Sequence, residues 1–85
     1  MINEDDWRLL GQETYLTGVP LFFRRWSSDN PDWDHDHCAF CGAKFSDHIP
    51  DCLTEGYTTA DHYHWICPDC FADFRLRFEW TVNVE

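Results

Sequence analysis

Two stretches, Trp33-Asp34-His35-Asp36-His37-Cys38-Ala39-Phe40-Cys41-Gly42 and Tyr63-His64-Trp65-Ile66-Cys67-Pro68-Asp69-Cys70-Phe71, decide how the whole chain is read. Each carries an alternating, strand-like run into a Cys-x-x-Cys pair. A tight turn of that spacing presents two thiolates side by side, and two such turns complete a tetrahedron of sulfur around one ion at about 2.3 Å per bond. Cys38, Cys41, Cys67 and Cys70 are therefore the expected ligands of one structural Zn2+, and iron suits the same four-sulfur set. Residues 42–66 make an interval somewhat longer than the usual one of about 15 to 20 residues, and a loop absorbs the difference at small entropic cost. Gly42 stands just after the first pair, where such a turn often needs positive φ. Four thiolates leave no coordination position for water, so the ion is not expected to act as a Lewis acid and the chain is not expected to be an enzyme. Neither pair sits in a βαβ pattern, which argues against a thiol redox site.

Outward from the second pair, Pro68 suits a first helical turn, and Phe71, Phe74 and Phe78 recur at helical spacing, so a helix is expected over 68–80. Alternation places Trp33, His35 and His37 on one face of a strand approaching the first pair, and Tyr63, Trp65 and Cys67 on one face of a strand approaching the second. Residues 43–61 read as a loop containing Pro50 and Gly56, with Tyr57-Thr58-Thr59 a candidate short strand. Upstream, Tyr15–Pro20 and Leu21–Trp26 read as two short extended segments, Arg24 and Arg25 form a rare basic spot, and residues 27–32 carry turn chemistry. Residues 1–13 form a short amphipathic piece, one or two helical turns or a loop. The expected organisation is one domain over 1–85, with an N-terminal segment (1–32) and a metal module with its helix (33–80).

A chain of 85 residues draws only about 3–5 kcal/mol of net stability from its core, so a staple is expected, and the metal supplies it. Met1 to Asp6 is acidic where a secretory signal needs basic residues, and Val19–Phe23 is too short to cross a bilayer. The expected location is the cytoplasm, whose reducing conditions favour metal sites over disulfides for paired cysteines. The formal charge is −10, sixteen acids against six bases. Four thiolates around a divalent ion make it more negative still. Such a chain repels phosphate backbones, so direct nucleic-acid binding is disfavoured and a basic protein is the expected partner.

His35, His37, His62 and His64 flank the pairs. They could hold a second metal or serve as acid and base with Asp34, Asp36 or Asp61. The favoured reading makes them packing residues and hydrogen-bond donors around the metal. Cys52, with His48 four residues before it, has no partner at ligand spacing and reads as a bystander. Trp26, Trp33, Phe40, Trp65, Phe71, Phe74, Phe78 and Trp80 form the expected core, but fifteen aromatics are more than a ribbon hides, so some are expected to form an exposed patch that marks an interface.

The paired cysteine turns resemble the zinc-ribbon class over about residues 33–72, which implies a small α+β zinc ribbon: short antiparallel strands carrying the two Cys-x-x-Cys knuckles, plus a C-terminal amphipathic helix. The same two stretches are similar to a group of small bacterial proteins with no established activity. Ribbons of known role include transcription accessories, rubredoxin-like iron sites and subunit-contact modules. Three functions are thus expected, in order. The first is an acidic, zinc-stabilised protein-binding module of inhibitor or immunity type, acting on a basic nucleic-acid-handling enzyme through Asp29, Asp32, Asp34, Asp36, Asp47, Asp51, Glu55 and Asp61. The second is a transcription or translation accessory touching nucleic acid through Arg24, Arg25, Arg75 and Arg77. The third is a small metal-dependent hydrolase or metal-transfer protein using the histidine pairs.

Overall fold

Pro68, with its fixed φ and missing N–H, opens the helix α2 (Pro68–Phe78), and Cys67 caps it by accepting the Cys70 N–H on its sulfur. The helix ends where Glu79 turns left-handed, φ 57°, and returns its N–H to the Arg75 carbonyl. Phe71, Phe74 and Phe78 are buried along one face. The computed structural model describes residues 6–28 and 32–83. Asp29, and with it the centre of the expected 27–32 turn, lies outside them.

The remaining elements are a single helical turn α1 (Glu13–Leu16) and strands β1 (Pro20–Arg25), β2 (Asp36–His37), β3 (Lys44–Phe45), β4 (Glu55–Thr58), β5 (Trp65–Ile66) and β6 (Thr81–Asn83). The result is a small α+β fold. One sheet runs β5-β4-β1-β6, and β2 and β3 form a separate hairpin. The β1–β4, β4–β5 and β2–β3 pairings are antiparallel, but β6 lies parallel to β1, so the sheet is not antiparallel throughout. A bridge between Cys38 and Trp65 ties the hairpin to the sheet and brings the two cysteine pairs together.

Four expectations are corrected. Tyr15 and Leu16 belong to α1 rather than to an extended segment; Leu16 is fully buried and its carbonyl accepts the Trp80 indole N–H at 2.8 Å. The 43–61 segment, expected as a loop with a short strand at Tyr57-Thr58-Thr59, also contains β3, and its later strand β4 starts earlier than expected, at Glu55, and is paired on both sides. The strand before the first pair is only Asp36–His37, although His35 and His37 do share a side, with ring centroids 4.9 Å apart. Trp33, expected in the core, is 43 % exposed, whereas the other seven aromatics of that set are buried and joined by Phe45.

Gly56 explains why the first half of β4 carries no strand signal. A Cβ there would lie 2.7 Å from Cε1 of Phe45 and 2.9 Å from the Ile66 carbonyl oxygen. The ring packs down on the strand, and the neighbouring backbone cannot retreat without breaking the β4–β5 pairing. Gly56→Ala is expected to lower unfolding free energy by about 2–3 kcal/mol, read as a lower denaturant midpoint at unchanged slope.

Candidate metal centre

In the first knuckle the Cys38 N–H donates to the Ala43 carbonyl at 2.7 Å and the Gly42 N–H to the Cys38 carbonyl at 3.1 Å. Gly42 closes the turn at φ 78°, a conformation costly for other residues. The second knuckle is the α2 N-terminus itself. Cys67 stands at its cap and Cys70 in its first turn, so the helix dipole favours negative charge on both sulfurs.

The two knuckles meet. The sulfurs of Cys38, Cys41, Cys67 and Cys70 all lie within 4.8 Å of one another, and among the described residues this is the one group of three or more metal-ligating side chains so placed. Cys38, Cys67 and Cys70 are buried, while Cys41 is half-buried. Backbone N–H groups already point at sulfur: Phe40 and Cys67 donate to Cys38 at 3.5 and 3.4 Å, and Cys70 donates to Cys67 at 3.4 Å. Such a set suits a structural metal ion, ordinarily zinc. Without the ion the charges divide unequally. A hydrogen bond from the Cys70 thiol and nearby backbone N–H groups pull Cys38 down to about 4. Burial, the largest cause, pushes Cys67 up to about 11, and its bond to Cys38 together with burial raises Cys70 well above the usual thiol range.

The histidines stand elsewhere. His35 pairs with Asp34 at 2.6 Å and His48 with Asp47 at 2.9 Å, while His64 packs between Tyr15 and Tyr63, ring centroids 4.7 and 4.9 Å away. Cys52 also stays out of the sulfur group.

The donor expected of the histidines is instead Arg8, a residue that sequence reasoning passed over. Its Nη1 lies 3.6 Å from the Cys70 sulfur and 2.9 Å from Asp73 Oδ2. Its Nε and Nη2 grip Asp6 at 2.9 and 2.7 Å, and the guanidinium lies 4.5 Å from the Phe74 ring centre. The Arg8 guanidinium and backbone N–H hold the Asp6 carboxyl down at about 2. A tetrathiolate around a divalent ion is a dianion, and a fixed cation at one sulfur offsets part of that charge. The buried Gln12 side chain joins the same segment to the first knuckle, its Nε2 donating to the carbonyls of Arg8 and Ala39 at 2.8 and 2.9 Å. Residues 6–12 thus touch both knuckles. Arg8→Met is expected to weaken metal binding by about 10- to 100-fold in a chelator competition, with Arg8→Lys closer to the native value.

No family model matches the chain, and no curated protein or solved structure matches it. Among the described residues no helix is long and apolar enough to cross a membrane.

Proposed function

We propose that the chain is a zinc-ribbon-like, acidic protein-binding module, of the inhibitor or immunity type, that occupies the basic site of a nucleic-acid-handling enzyme. The observation that carries this reading is the four-sulfur group at the junction of the hairpin, the sheet and α2: a set that fills a metal's coordination sphere stiffens a surface and leaves no position for substrate. A stiff surface loses little entropy on binding. The acids supply the complementarity. Asp32, Asp34, Asp47, Asp51, Glu55 and Asp61 are exposed. Asp34 and Asp47 come together at the hairpin, where the Ser46 hydroxyl donates to the Asp34 carbonyl at 2.8 Å. The arginines favour no nucleic-acid strip: Arg24 and Arg25 alternate on β1, and Arg24 and Arg75 lie over the rings of Phe22 and Phe71.

The test is capture by tagged, zinc-loaded protein from nuclease-treated lysate, followed by association kinetics with the captured protein. A basic nucleic-acid-handling enzyme is expected, and Asp32→Lys combined with Asp34→Lys and Asp47→Lys is expected to slow association at low salt, an effect that fades as salt rises. An on-rate indifferent to the triple reversal overturns the reading. Recovery of nucleic acid with a steep salt dependence replaces it with the accessory role.

A further inference from the structure

Away from the cysteines, a concavity of about 450 Å³ is lined by residues that include Trp33, Asp36, Asp61, His62 and Tyr63. That volume falls within the range of about 300–1,000 Å³ typical of ligand sites. Its aromatic members are left uncovered: Trp33 is 43 % and Tyr63 62 % exposed, although the fold buries eight other large aromatics. Its carboxylates are oriented by dedicated donors. Asp36 Oδ2 receives the indole N–H of buried Trp26 at 2.8 Å and that of Trp33 at 2.9 Å. Asp61 Oδ1 receives the Thr59 hydroxyl and the Tyr63 N–H at 2.5 and 3.0 Å. Between Asp61 and Tyr63, His62 holds a left-handed backbone, φ 61°, which costs free energy in a non-glycine residue. Its carbonyl is fixed by the Trp65 indole N–H at 3.1 Å.

We infer that this concavity binds an arginine side chain of the partner, its guanidinium lying against the Trp33 and Tyr63 rings and donating to the Asp36 and Asp61 carboxylates. The inference rests on the protein-binding reading above and deepens it. Ring faces attract cations, most strongly indole, and two fixed carboxylates meet a planar fork of N–H donors better than they meet a compact, strongly hydrated ammonium. The net charge of −10 draws the same basic partner toward this surface. Exposed rings also stack on nucleic-acid bases, but each base brings a phosphate, which these carboxylates repel.

The test titrates 15N-labelled, metal-loaded protein with N-acetyl-arginine amide, with its neutral isostere N-acetyl-citrulline amide and with oligothymidine, following by NMR the Trp26 indole N–H on Asp36 and the Tyr63 backbone N–H on Asp61, both of which remain in every variant. A saturable shift with arginine is expected, at least about tenfold weaker with citrulline, and weakened about tenfold by Trp33→Ala and by Asp61→Asn. Because Asp61 also holds its own turn, Trp33→Ala is the cleaner variant, and an unchanged metal content shows that each variant is folded. Three results overturn the inference: no saturable shift, an equal response to citrulline, or undiminished arginine binding in Trp33→Ala. A shift with oligothymidine alone also overturns it and gives the pocket to bases. A protein partner whose affinity ignores Trp33→Ala removes the pocket and leaves the module reading standing. Arginine binding without any protein partner leaves the pocket and removes the module.

Discussion

Stripping the metal with a strong chelator unfolds the protein, and Cys70→Ser does the same without a chelator. The magnitudes decide this. A structural zinc site contributes on the order of 10–16 kcal/mol, against about 3–5 kcal/mol from the core of a domain this small. The geometry says what is lost: the sulfurs join the β2–β3 hairpin, the Cys38–Trp65 bridge and the first turn of α2, so without the ion three elements lose their common anchor. The pH dependence follows from the same set. Ligation needs thiolates, so the stabilisation is present at neutral and alkaline pH and disappears as acid returns protons to sulfur. The metal-free chain is unfolded, and free thiols, with a pKa of about 8.5, are largely protonated at neutral pH. Binding at neutral pH should therefore release close to four protons, measurable by calorimetry in buffers of different ionisation enthalpy. Circular dichroism follows the unfolding. A metal-free protein that melts cooperatively at the native temperature would show that the sulfurs hold nothing structural.

Phe74→Ala is expected to cost about 3–5 kcal/mol, as much as the whole core contributes without metal. The ring is fully buried, stacks on Phe40 at 4.8 Å and packs edge-on to Phe78 at 6.2 Å. Phe40 lies between the ligands of the first knuckle, so the stack carries the helix face directly to the metal site. The ring also supports the Arg8 guanidinium. The variant should thus lower the denaturant midpoint of the metal-loaded protein and weaken metal retention together. Leu76→Ala, two residues along the same helix but 87 % exposed, should change stability by about 0.5 kcal/mol or less and serves as the control. Equal effects at the two positions would mean that the helix does not pack by its phenylalanine face.

The helix and the sulfur group were legible because their signals are local and redundant: proline at the first turn, phenylalanines at helical spacing, cysteines in two matched pairs. β1 was legible from its aromatic run. The misreadings have physical causes. Glu55-Gly56 has weak strand propensity, and Gly56 occupies β4 because Phe45 and the Ile66 carbonyl leave no room for a side chain, a constraint set by residues distant in sequence. Tyr15-Leu16 suited a strand by composition, but Leu16 is buried under Trp80 and the chain turns at Gly18, φ 73°. Arg8 carries no local mark, since its partners Cys70 and Asp73 lie 62 and 65 positions away. The pocket at Trp33 escaped notice for the opposite reason: an aromatic among aromatics reads as core until its exposure is seen.

The parallel pairing of β1 with β6 also sets an order in time. A strand emerging early from the ribosome must wait, its edge unpaired, until α2 has been made and the chain has returned alongside it, a long loop closure that slows folding. Cys38 and Cys41 emerge long before Cys67 and Cys70, at about 5–20 residues per second. For that interval the first knuckle holds a half-built site whose thiols must stay reduced and must not surrender to a stray soft metal. Metal capture is thus a closing event in the birth of this protein, and cells starved of the metal or under oxidant stress should lose nascent chains before they lose mature ones.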